Sequence, residues 1–206
     1  MDKVAPNLAF RRLCTIFAAM KRIILITGGE RSGKSTYAER LALQLSERPV
    51  YMATAHPWDG EFRMRIRCHQ ERRGPQWTNI EEERELSCHD VAGRVVVVDC
   101  LTLWATNFFF GAERVEEQVA TGETEVMDVD TDVVLKALKS EFDRFVNQEA
   151  TFIFVTNEIG MGGVSPNAVQ RQFTDLMGWL NQYAAARADE VVLMVSGIPM
   201  KIKDKP

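Results

Sequence analysis

The chain has 206 residues, with 25 Lys+Arg against 29 Asp+Glu and a formal charge of −4. Its 46% hydrophobic and 26% charged residues, at a mean hydropathy of −0.17, exclude a disordered chain and a membrane bundle. The charge supplies no general basic field for nucleic acid or an anionic membrane, and the length suits one domain with a sizeable core.

Lys3, Arg11 and Arg12 precede a short apolar run, Leu13 to Met20. That run is at the short limit for a signal peptide and leads into a strand-like segment. Residues 1–19 therefore read as a loose extension ahead of Met20. Nothing elsewhere approaches the ~20 apolar residues of a membrane span. The four cysteines (14, 68, 88, 100) form no CxxC pair and the three histidines (56, 69, 89) no His-x-x-x-His pair. No structural zinc site is expected, and scattered thiols point to a reducing, cytoplasmic location.

Ile23–Ile26 is a β-branched apolar run ending at a Gly-rich turn, which predicts a buried strand. A helix is expected over Ser35–Ser46, burying Tyr37, Leu41 and Leu45. Val50–Ala53 predicts a second strand, and 61–72 a polar, Arg-rich helix stopping before Gly74-Pro75. Val95–Val98 is a strand ending on Asp99, followed by an apolar helical segment over 101–110. Residues 111–130 hold seven acidic side chains and one Arg, a net −6, and read as a solvated insert. Helical spacing resumes over Val133–Val146, and Phe152–Val155 is another buried strand. Ser165-Pro166 predicts a helix start with Ser165 as N-cap, carrying the stripe Val169, Phe173, Leu176, Leu180, Ala184. The final expected strand is Val191–Val195. Strands alternating with helices imply right-handed crossovers and a three-layer α/β fold on a mainly parallel sheet.

Gly28, Gly29, Glu30, Arg31, Ser32, Gly33, Lys34 and Ser35 match G-x-x-x-x-G-K-[ST] between a strand and a helix, the context a phosphate-binding loop requires. Glycines let backbone N–H groups close around phosphate oxygens, and the helix N-terminus adds partial positive charge. Lys34 supplies a full charge to the β/γ phosphates, while the Ser35 hydroxyl is a Mg²⁺ ligand. Asp99, at the end of a Val-rich strand, is the matching second Mg²⁺ ligand.

Glu61, Arg65, His69 and Arg72 share one helical face. Two readings stand open there. Arginines around a histidine suit an anionic group, with a neutral imidazole able to act as nucleophile or base; the same pattern also describes a solvated basic face. Asn157 to Gly163 follows a buried strand at the ligand-binding edge, as a ligand contact or as a flexible loop. Guanine recognition through Asn-Lys-x-Asp is absent, which argues against a GTPase switch.

Taken together, these segments resemble the bifunctional adenosylcobinamide kinase/adenosylcobinamide-phosphate guanylyltransferase family. The likeness runs from Lys21 to Lys203. Its landmarks are Ile26–Ser35, Tyr51–Thr54, Arg65–His69, Trp77–Glu81, Asp99–Trp104, Thr156–Gly162 and Val195–Lys203. It implies a RecA-like P-loop core, a homo-oligomer (usually a trimer) and the substrates ATP, GTP and adenosylcobinamide. It also implies phosphorylation of adenosylcobinamide, then GMP transfer through a guanylyl-histidine, which falls on His69. By similarity Ala53, Thr54, Gln70, Glu71, Arg72, Arg73, Glu81 and Asp99 line the nucleotide site. Residues 1–19, the acidic insert and Cys68 depart from the family pattern. The competing readings are a small-molecule kinase without guanylyl transfer, and a RecA-like ATPase acting on a macromolecule.

Overall fold

In this computed structural model the residues described are 21–56, 60, 64, 73–111 and 129–205. Seven strands form one sheet: β1 (Arg22–Gly28), β2 (Val50–Ala53), β3 (Thr78–Glu81), β4 (Val95–Asp99), β5 (Thr151–Val155), β6 (Glu190–Val195) and β7 (Ile198–Asp204). Among the described residues four complete α-helices accompany them: α1 (Lys34–Leu45), α2 (Leu101–Phe110), α3 (Thr131–Val146) and α4 (Ala168–Arg187). The strand order is β3-β2-β4-β5-β1-β6-β7, parallel throughout except for the antiparallel β6–β7 pair.

Side chains alternate across each strand, so one apolar strand feeds two cores. On one face Ile24, Ile26, Val95, Val97, Ile153 and Val155 pack against α1. On the other, Leu25, Val96, Val98, Phe152 and Phe154 meet α2, α3 and α4. Rings of Phe142 and Phe154 lie 4.8 Å apart and those of Phe145 and Phe152 5.0 Å apart, each pair adding about 0.5–1.5 kcal/mol beyond its buried area. The result is the expected three-layer α/β architecture. Among the described residues, no helix is long and apolar enough to cross a membrane.

Several local expectations are corrected. The face of α1 that touches the sheet is centred on Ala38 and Ala42, both fully buried, while Tyr37, Leu41 and Leu45 flank them half-buried. Small residues let this helix lie close to the strands, so its largest side chains fall on the shoulders of the contact. α4 begins two residues later than expected: Asn167, not Ser165, is the N-cap, its side chain accepting from the Gln170 N–H at 3.0 Å. The Ser165 hydroxyl instead accepts from the Asn167 N–H at 3.2 Å. Asp130, assigned to the acidic insert, caps α3 by accepting from the N–H groups of Asp132 and Val133; residues 112–128 of that insert lie outside the described residues. The Arg-rich helix expected over 61–72 does so as well, apart from Met64.

Two strands escape the sequence reading. β3 is a four-residue, mostly exposed edge strand with no apolar alternation. β7 makes the expected last strand the first arm of a hairpin. Ser196 and Gly197 turn it with φ of 50° and 83°, the two positive values a type I′ turn needs. Its edge carries Lys201 and Lys203, charges that discourage further strand pairing.

Candidate active site

Strand register assembles the site. Ile26 pairs with Val155, Val155 with Asp99, and Asp99 with Ala53. The carboxyl ends of β1, β5, β4 and β2 therefore reach one level, where ligands bind in open parallel sheets.

From β1 the chain turns through residues 29–33 into α1. Gly28 has a φ of 148°, and a Cβ there would collide with the Met194 carbonyl, so the loop's entry admits only glycine. Gly33, with φ 93°, is the N-cap and offers no side chain to the helix amides, which stay available to an anion. The loop is braced from the far end of the chain, since the Gly197 N–H donates to the Ser32 carbonyl at 3.0 Å.

Lys34 is 7% exposed, and its amine donates within the loop to the Gly29 carbonyl and the Ser32 hydroxyl. Burial lowers its pKa, with Cys100, Asp99 and Glu30 acting the other way. Burial, helped by Asp99, pushes the Cys100 thiol up to about 12, so at neutral pH the carboxylates support the lysine's charge. Glu30 and Arg31 are exposed and Ser35 half-buried.

Asp99 is held by a partner the sequence did not disclose. The Tyr51 hydroxyl donates to Asp99 Oδ2 at 2.6 Å, and burial followed by the Asp99 charge raises the tyrosine pKa well above 10.0. The Tyr51 ring meets Trp77 edge-on at 5.8 Å and carries the Arg73 guanidinium 3.7 Å from its centroid. Arg73 donates through Nε to Asn79 Oδ1 at 2.8 Å, while its buried Nη1 has no partner among the described residues. The only sequence signal was a tyrosine in an otherwise apolar strand.

This arrangement fits a divalent cation. Tyr51 occupies one oxygen of Asp99, and among the described residues none bonds the other. Ser35 contributes a hydroxyl, so both donors are the hard oxygens that Mg²⁺ prefers. Tyr51→Phe is expected to lower stability by about 1.5–3 kcal/mol, the range for a hydrogen bond to a charged group, read as an earlier urea midpoint. An unchanged midpoint would show that this bond does not hold Asp99.

Other expected site residues take distinct places. Ala53 ends β2, its carbonyl accepting from the Glu82 N–H at 3.0 Å, and Glu81 ends β3 exposed. Thr54 is fully buried, and its hydroxyl donates to the Cys100 carbonyl and accepts from the Cys100 N–H, both at 2.8 Å. That hydroxyl braces the β4–α2 corner, its proton committed to the Cys100 carbonyl. Glu158 sits against the phosphate loop: Thr27 Oγ1 donates to Oε1 at 2.6 Å, and the Glu158 N–H donates to the Gly28 carbonyl. The loop after β5 is thus anchored. His69, Gln70, Glu71 and Arg72 lie outside the described residues.

Comparison with known proteins identifies the family. The bifunctional adenosylcobalamin biosynthesis protein CobP of Pseudomonas aeruginosa is 37% identical over 186 residues, covering 88% of this chain and 98% of that protein. The CobU protein of the same description from Escherichia coli is 35% identical over 189 residues, covering 88% and 99%. Among solved structures, an ATPase from the type III secretion system of pathogenic bacteria superposes with a TM-score of 0.50 at 11% identity, covering 89% of this chain and 54% of that one. This likeness supports the RecA-like P-loop fold and nothing finer. Residues 24–202 match the CobU family, described as cobinamide kinase / cobinamide phosphate guanyltransferase. The chain belongs to that family.

Proposed function

We propose that this chain phosphorylates adenosylcobinamide with ATP or GTP and then transfers GMP from GTP onto the new phosphate. In the first step the aminopropanol hydroxyl oxygen attacks the γ-phosphorus as the bond to the β–γ bridging oxygen breaks. The nucleoside diphosphate departs and the hydroxyl proton is released. In the second, an imidazole nitrogen of His69 attacks the α-phosphorus of GTP, pyrophosphate leaves, and a phosphoramidate forms. A phosphate oxygen of adenosylcobinamide phosphate then displaces the imidazole, giving adenosylcobinamide-GDP.

The observation that carries this reading is family membership joined to a phosphate loop whose buried lysine lies within the electrostatic reach of a strand-end carboxylate. Lys34 and the α1 amides stabilise charge on the phosphate oxygens in both steps. Mg²⁺ held by Ser35 and Asp99 would neutralise further phosphate charge. Among the described residues the buried Arg73 Nη1 has no partner, which supports a place for it beside an anionic group. Gln70, Glu71, Arg72, Ala53 and Glu81 complete the proposed nucleotide site. The proposal extends to one domain over residues 20–206, a trimeric assembly and a cytoplasmic location.

Incubation with α-labelled GTP tests the central step. The protein is expected to take up label that is acid-labile and alkali-stable, and to release it on addition of adenosylcobinamide phosphate. Folded, GTP-binding protein that stays unlabelled would favour a kinase without guanylyl transfer.

A further inference from the structure

Away from the phosphate loop, the segment between β3 and β4 brings together three side chains of different chemistry. Glu82 follows β3, while Cys88 and His89 close a 3₁₀ turn spanning Leu86–Cys88. Glu82 Oε2 lies 3.1 Å from His89 Nε2 and 3.7 Å from Cys88 Sγ, and the three donor atoms all fall within 4.8 Å of one another. We propose that Glu82, Cys88 and His89 form a three-ligand site for a borderline first-row divalent cation, Zn²⁺ foremost.

The distances suit such an ion. Zinc bonds of about 2.0–2.3 Å in tetrahedral array place ligand atoms roughly 3.3–3.8 Å apart, close to the two separations seen. Thiolate, imidazole and carboxylate together select Zn²⁺ over Mg²⁺ or Ca²⁺, which take oxygen ligands. Three protein ligands also leave the fourth position open to water.

The ligands are held before any ion arrives. Glu82 Oε1 accepts from the N–H groups of Arg84 and Glu85 at 2.9 and 2.8 Å, so its other oxygen is aimed at the histidine and thiol. The Trp104 indole donates to the Arg84 carbonyl at 3.0 Å, the Ser87 N–H to Glu141 at 2.7 Å, and Gln148 to the His89 carbonyl at 3.0 Å. Anchored backbone on both sides of a ligand set is what fixes metal geometry. Access is open as well: the His89 side chain is 31% exposed, Cys88 is exposed, and Glu82 lines a cleft of about 700 Å³. The sequence could not show this site, because a Glu six positions before a Cys-His pair fits no familiar zinc spacing.

Cobalt(II) titration of the metal-stripped full chain provides the test. One equivalent is expected to bind with a thiolate-to-cobalt charge-transfer band and the intense visible bands of a tetrahedral ion, all erased by one equivalent of Zn²⁺ and untouched by excess Mg²⁺. Cys88→Ser is expected to abolish the charge-transfer band, and Cys68→Ser to leave it. His89→Gln should weaken cobalt binding by more than about 100-fold, beyond the usual loss from a supporting residue. Far-UV circular dichroism establishes that each variant is folded, and His89→Gln serves alone if Cys88→Ser is not. Absence of the band in wild-type protein overturns the site, as does a band unchanged in a folded Cys88→Ser or His89→Gln variant.

Discussion

Lys34→Ala is expected to lower both phosphoryl and guanylyl transfer by about 10²–10³-fold, the loss typical of removing one preorganised stabiliser of transition-state charge. The lysine amine is buried in the phosphate loop with Asp99 and Glu30 supporting its charge. A charge fixed there needs no reorganisation as the leaving group departs, and low solvent exposure strengthens its field. The two reactions break bonds at different phosphorus atoms, so a shared loss places both on one triphosphate site. Steady-state rates for each half-reaction, with urea unfolding as the control for folding, supply the measurement. Retention of either activity within tenfold of wild type would separate that reaction from the loop.

His69→Ala is expected to divide the activities. Guanylyl transfer should fall by at least about 10³-fold, the scale on which loss of a covalent nucleophile is felt, and the acid-labile label should vanish. Phosphorylation of adenosylcobinamide should persist, because the hydroxyl attacks the γ-phosphorus directly and no imidazole adduct lies on that path. Equal loss of both activities in a folded variant would assign His69 to triphosphate binding instead of nucleophilic attack.

The parts of the fold legible in the sequence are those where one physical requirement dominates. Strand segments buried on both faces, such as Val95–Val98 and Phe152–Val155, must be continuously apolar, and so they announce themselves. The phosphate loop is equally plain, since backbone approach and charge dictate its glycines and lysine. What stayed hidden depends on partners distant in the chain. β3 is a strand because β2 offers it an edge, though Thr78-Asn79-Ile80-Glu81 has little intrinsic pattern. In β7 the alternation Ile198, Met200, Ile202 was present, but those residues are exposed and follow a turn, so nothing demanded a strand there. Tyr51 escaped because an apolar strand position gives no hint of a hydroxyl reaching a carboxylate 48 residues on. The same limit applies to α1, where a stripe of large residues was read as the core face. Ala38 and Ala42 hold that place because closeness to the sheet matters there more than side-chain volume.

The brace from Gly197 to Ser32 ties the phosphate loop to a segment far along the chain. β1 comes before every other strand described, yet its neighbours in the sheet are β5 and β6, and the turn that steadies its loop comes later still. Contacts between such distant segments bear the full entropy of closing the intervening chain, which makes them slow to form. The phosphate-binding sequence is therefore made well before the hairpin that supports it. Tight nucleotide binding is expected to depend on docking of the β6–β7 hairpin, about 160 residues along the chain from the loop it braces.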